Sequence, residues 1–134
     1  MLNRLNHIAI AVNNLDEGIK IYKDTLGAQV SKKLALPKHG VTTVFINLSN
    51  TNIELLEPLG KDSPICNFLI KNPSGGVHHL CYEVSNIQES VKYLSNAGYK
   101  ILGDGIPREG AHGKPVIFIH PSNFNGTLIE LEQI

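Results

Sequence analysis

In the stretch NHIAIAV, residues 6–12, the bulky apolar residues Ile8, Ile10 and Val12 fall on every second position, with His7, Ala9 and Ala11 between them. A period of two is that of a strand whose faces differ. The pattern returns 72 residues later in GVHHLCYEV (76–84), where His79 falls on His7, Leu80 on Ile8, Tyr82 on Ile10 and Val84 on Val12. After each strand the period lengthens to that of a helix. Leu15, Ile19, Tyr22 and Leu26 recur in VNNLDEGIKIYKDTLG (12–27), and Ile87, Val91 and Leu94 in VSNIQESVKYLSNAG (84–98). Asn14 and either Ser85 or Asn86 are suited to cap these helices, and Gly27 and Gly98 to end them in a left-handed residue. Two further echoes follow: HGVTTVFINL (39–48) matches HGKPVIFIHP (112–121), and NIELLEP (52–58) matches LIELEQI (128–134).

Each half therefore predicts a strand, a helix and three strands. Between the halves, Ser63-Pro64 is a helix-start pair and the run from Pro73 to Gly76 a stop, so a short linking helix is expected. The fold class predicted is α+β, a single domain over residues 1–134 built from two βαβββ modules. Module one spans about 5–58, the linking helix about 63–71 and module two about 77–134. Neither half alone would bury much.

Composition narrows the function. With 42% apolar and 18% charged residues, the 134-residue chain is too apolar for disorder and long enough for a core. Lys+Arg and Asp+Glu each number 12, which gives a formal net charge of zero and no basic footprint for nucleic acid. Apolar runs are too short for a membrane span, so no membrane partner is expected. Core-like sequence begins by Leu5 with no leader pattern before it, and Cys66 and Cys81 read as small buried fillers. That usage fits a reducing compartment: the cytoplasm, or the mitochondrial matrix in a eukaryote.

Alternation also separates candidate chemistry from core. His7 shares its strand face with Ala9 and Ala11, and His79 shares its face with Cys81 and Glu83, so the bulky faces take the helices and the small ones leave room for a cavity. In the closing strands Glu54 lies between Ile53 and Leu55, and Glu130 between Ile129 and Leu131. A carboxylate centred in an apolar strand is costly unless it is paired or holds a metal. One strand histidine or glutamate is ordinarily structural, but two His and two Glu at matching repeat positions point to a metal site. Two imidazoles with one or two carboxylates suit a divalent ion and leave positions for substrate oxygens or water. His39 and His112, each before a glycine, are expected in turns or substrate contacts, and His120 in a structural role.

The stretches YKDTLGAQV, IELLEPLGKDSPI, GGVHHLCYEV, GAHGKPVIF and NGTLIELEQ, together with the His/Glu placement, closely resemble the methylmalonyl-CoA epimerase family of the vicinal-oxygen-chelate (glyoxalase-like) superfamily. The resemblance runs from about Leu5 to Gln133. It implies a homodimer in which the modules form a cupped mixed sheet around a metal, and interconversion of the 2R and 2S epimers of an acyl-CoA substrate through an enolate. By the same resemblance His7, His79 and Glu130 hold the metal, with Glu54 in the fourth position directly or through water. Glu130 and Glu54 are the candidates for moving the C2 proton. The ion implied is Co²⁺ foremost, with Mn²⁺, Ni²⁺, Zn²⁺ or Mg²⁺ as alternatives. Some relatives carry a further glutamate on the strand matching 41–46; here that strand reads VTTVFI, with Thr42 and Thr43 and no carboxylate. Rival functions on this scaffold are a glyoxalase-like lyase, a metal-dependent dioxygenase and a non-catalytic small-molecule binding protein.

Overall fold

Asn14 adopts an extended backbone, and its Oδ1 accepts the Glu17 amide at 3.0 Å, so helix α1 (Leu15–Lys20) starts where the cap satisfies a first-turn N–H. The same device starts α3 (Ile87–Asn96), where Asn86 Oδ1 accepts from the Gln88 and Glu89 amides. Ser63 does so for α2 (Pro64–Lys71), with proline at the first helical position. Gly27 and Gly98 end the first and third helical segments at φ 68° and 85°.

This computed structural model describes residues 1–134. The strands are β1 (Leu2–Ala11), β2 (Leu34–Leu36), β3 (Val41–Asn47), β4 (Asn52–Pro58), β5 (Gly76–Val84), β6 (Arg108–Glu109), β7 (Pro115–Ile119) and β8 (Ile129–Gln133). The chain thus runs strand, helix, three strands, then α2, then the same succession again. The fold is α+β and its strand pairing mixed, since β5 and β8 pair in parallel while β3–β4 and β7–β8 are antiparallel. α1 does not continue unchanged to Leu26: a five-residue π-helical turn, Ile21–Thr25, closes it, with the Leu26 amide bonded to the Ile21 carbonyl.

Two compact units share β1 and β5, changing over between His7 and Ile8 and between His78 and His79. In the unit Ile8–His78 the strands lie in the order β2-β3-β4-β1. Leu15 from α1 packs on Val44, Ile46 and Leu55, joined by Ile10 from the bulky face of β1 and by Val12 just after it. The small face was expected to leave room for a cavity, yet here Ala9 and Ala11 are covered by Ile65, Phe68 and Leu69 of α2. Methyl side chains let that helix approach closely, and the space is filled.

The second unit comprises Met1–His7 and His79–Ile134, with the order β1-β5-β8-β7-β6. Val84, Ile117, Ile119, Ile129 and Leu131 form a core against Ile87 and Leu94 of α3. Each such burial is worth about 1.5–3 kcal/mol in apolar surface removed from water. On this α3 side lies a cavity of about 440 Å³ lined by Leu80, Tyr82, Tyr93, Phe124 and Leu131 among others. None of the chain's helices is long and apolar enough to cross a membrane.

Candidate metal centre

Because Ile129 and Leu131 point into the α3 core, Glu130 between them faces the other way and is 6% exposed. The parallel register of β8 with β5 sets Glu130 beside Cys81, two residues on from His79. His7 closes the part of β1 that belongs to this unit. Both imidazoles are buried, at 2% for His7 and 4% for His79.

The three side chains meet tip to tip. Glu130 Oε2 is 3.2 Å from His7 Nε2 and 3.0 Å from His79 Nε2, and the two nitrogens are 3.3 Å apart. Metal–ligand bonds of about 2.1 Å separate neighbouring donors by roughly 3.0 Å in an octahedral arrangement and roughly 3.4 Å in a tetrahedral one. The observed triangle falls in that range, so the donor set fits a divalent ion. Its chemistry is that of a borderline to hard cation, with two nitrogens and one oxygen.

Electrostatics agree with the geometry. Burial would by itself raise the Glu130 carboxyl, but hydrogen bonding and charge from His7 and His79 outweigh it and hold the group far below the usual carboxylate range. Glu130 is therefore an anion in a dry setting, held there by the two imidazoles. The Cys81 sulfur lies within 4.8 Å of donor atoms of His7 and Glu130, closer to the chemistry than a core filler need be.

A polar network extends behind this triangle. His7 Nδ1 contacts Asn6 Oδ1, Asn6 Nδ2 donates to Glu83 and Glu132, Arg4 Nε donates to Glu83 Oε1, and His112 Nδ1 meets Glu132 Oε2. Asn6, Glu83 and Glu132 are 7%, 9% and 3% exposed. None of the three stood out in the sequence as functional. The available signal was the period of two, which puts Glu83 on the strand face of His79 and Glu132 on that of Glu130.

Glu54 lies on β4 in the other unit, 4% exposed, and its Oε1 accepts from Thr43 Oγ1 at 2.8 Å. Among the remaining histidines, His78 stacks edge-on against Phe68 of α2 at 5.0 Å, and His39 sits in the turn from β2 to β3. His112 contacts the Glu132 carboxylate rather than serving only its turn. His120 Nδ1 accepts the Ser122 amide and caps the short 3₁₀ turn Pro121–Asn123, a structural role.

Comparison with known proteins places these features in context. A model of the glyoxalase/bleomycin resistance protein/dioxygenase superfamily matches residues 6–118. The chain is 56% identical over 134 residues to the ethylmalonyl-CoA/methylmalonyl-CoA epimerase of Cereibacter sphaeroides, with 100% of each covered. To the mitochondrial methylmalonyl-CoA epimerase of Homo sapiens it is 54% identical over 132 residues, spanning 98% of this chain and 74% of that one. A solved Streptomyces coelicolor methylmalonyl-CoA epimerase variant, in complex with 2-nitronate-propionyl-CoA, matches with a TM-score of 0.90 at 30% identity, covering 99% of this chain and 95% of that one.

Proposed function

The chain belongs to the glyoxalase/bleomycin resistance protein/dioxygenase superfamily, and we propose that it is an isomerase interconverting the 2R and 2S epimers of methylmalonyl-CoA with a divalent metal ion. The observation that carries this reading is the buried triangle of His7 Nε2, His79 Nε2 and Glu130 Oε2 in a chain 56% identical to a named epimerase of this chemistry. His7, His79 and Glu130 would hold the ion, with Glu54 as the fourth ligand directly or through water. Co²⁺ is the first choice, and Mn²⁺, Ni²⁺, Zn²⁺ or Mg²⁺ the alternatives. When bound, such an ion acts as a Lewis acid on the thioester carbonyl and the carboxylate, favouring loss of the C2 proton by several kcal/mol.

Epimerisation removes a proton from one face of C2 and returns one to the other, so it needs a group on each face. Glu130 and Glu54 are assigned these roles. Strand β3 offers Thr42 and Thr43 in place of a carboxylate, so the second role falls to Glu54, whose Oε1 is held by the Thr43 hydroxyl. Burial keeps bulk water away from both carboxylates, which protects an enolate from unspecific protonation.

The acyl-CoA substrate class is supported by the complex of the Streptomyces coelicolor relative with an acyl-CoA analogue. We further assign a homodimer working in the cytoplasm. Both cysteines are free, which is compatible with a reducing compartment, and light scattering should return twice the 14.7 kDa chain mass.

The decisive test strips the protein of metal, reloads it with Co²⁺ and incubates it with methylmalonyl-CoA in D₂O. By NMR the C2 proton should disappear and the methyl doublet collapse, only in the loaded protein. Glu54→Gln and Glu130→Gln should each slow this exchange by about 100-fold or more, the scale of general acid–base catalysis. No exchange in the loaded wild type would overturn the epimerase reading.

A further inference from the structure

The Asn6 amide stands between His7 and two carboxylates, and its orientation is dictated by what surrounds it. Carboxylates only accept hydrogen bonds. Asn6 has two amide N–H groups, and its nitrogen lies 2.9 Å from Glu83 Oε1 and 3.3 Å from Glu132 Oε1. The inverted amide would set its carbonyl oxygen against both anions. The oxygen is therefore the atom 2.8 Å from His7 Nδ1. An amide oxygen is only an acceptor, so Nδ1 must carry the proton. That leaves Nε2, 3.2 Å from Glu130 Oε2 and 3.3 Å from His79 Nε2, as the nitrogen whose lone pair a metal ion would take, in place of the proton it shares with Glu130.

We propose that Asn6 is a positioning residue which fixes the tautomer and ring plane of His7 for metal binding, and that Glu83 and Glu132 act through it by locking the amide. The two carboxylates are themselves anchored from outside, Glu83 by Arg4 Nε at 2.9 Å and Glu132 by His112 Nδ1 at 2.9 Å. The chain of contacts thus runs from the surface to the metal-binding nitrogen: Arg4 to Glu83 to Asn6 to His7, with a second arm from His112 through Glu132. A neutral amide suits this place because it donates to anions on one side and accepts from an imidazole on the other. Aspartate would supply the acceptor but set a third anion against Glu83 and Glu132, and leucine would supply neither.

Outer partners of metal-bound histidines typically account for 10- to 100-fold in metal affinity. The inference rests on His7, His79 and Glu130 forming the metal site, and the test separates the two. Metal-free wild type and Asn6→Leu are titrated with Co²⁺ by calorimetry, with folding checked by circular dichroism. Loss of roughly 10- to 100-fold in affinity is expected for the variant. Because Asn6→Leu leaves two buried carboxylates without their amide donor, a second variant preserves the network by reversing it. In Asn6→Asp combined with Glu83→Gln and Glu132→Gln, the new carboxylate accepts from His7 Nδ1 and from both glutamine amides, and affinity should return to within a few-fold of wild type. In the Zn²⁺-loaded protein, ¹⁵N-edited NMR should find the His7 Nδ1 proton retained and slow to exchange in wild type and in the triple variant. A folded Asn6→Leu that binds Co²⁺ as wild type does, or a triple variant no better than Asn6→Asp alone, overturns the role of Asn6 and leaves the metal site standing. Wild type that binds no Co²⁺ overturns both.

Discussion

Thr43 is completely buried, with one hydroxyl proton and three acceptors in reach: Glu54 Oε1 at 2.8 Å, the Leu55 carbonyl at 3.0 Å and the Val44 carbonyl at 3.5 Å. The carboxylate is the stronger acceptor. Thr43→Val keeps the shape and removes the donor, so it should destabilise the fold by roughly 1–3 kcal/mol in urea unfolding, while Thr43→Ser should cost less. Equal stability of Thr43→Val and wild type would show that this hydroxyl contributes nothing to Glu54. At Glu83, burial would raise the carboxyl, but the hydrogen bonds from Arg4 and Asn6 and the charges of Arg4 and Lys114 leave it below its ordinary 4.5. A carboxylate depressed in this way stabilises the fold above its unfolded pKa, and that contribution is lost as pH falls through the folded value. The stability gap between wild type and Arg4→Met should therefore be widest near neutral pH and narrow as pH falls below the ordinary 4.5. It should stay under about 1 kcal/mol, because the Arg4 side chain is 71% exposed. Denaturation midpoints across that range check both the sign and the size. At this scale alternation assigned His7 and His79 to the small-residue faces. It could not join Asn6 to His7, since adjacent strand residues nominally point apart.

Among the elements, the caps and helical periods were legible because they are local: Asn14, Ser63 and Asn86 each bond amides within three residues. The π-helical turn at Ile21–Thr25 was not, since its spacing of apolar residues fits an ordinary helix equally well. Nor was the seat of α2, whose residues could not be matched to Ala9 and Ala11 by any pattern in the intervening chain. Gly75, between α2 and β5, tests how tightly that junction is built. It has φ 81°, and a Cβ there would lie 2.5 Å from the Ala11 carbonyl oxygen. Backbone strain and collision act together, so Gly75→Ala should cost more than about 1 kcal/mol, measured as a lowered denaturation midpoint. Gly27→Ala, with open space around it, should cost less.

For the whole molecule, an ion held by the proposed ligands on β1, β5 and β8 would tie together segments far apart in sequence. A ligand that binds only the folded state at 100 times its Kd stabilises by about 2.7 kcal/mol, which in a chain of this length raises Tm by roughly 10 °C. Co²⁺ should produce a shift of that order in differential scanning fluorimetry, a chelator should reverse it, and His79→Ala should abolish it. An unchanged midpoint at saturating Co²⁺ would argue against a folded-state site. The sequence by itself determined the repeated succession of elements, the α+β class and the family, because periods, caps and turn residues are written within a few positions of one another. Only the tertiary structure decided that two imidazole nitrogens and a carboxylate oxygen stand about 3 Å apart, and that Asn6 reaches Glu83 and Glu132, 77 and 126 positions away. Those contacts depend on strand register and on side chains from distant segments, and no local pattern encodes either.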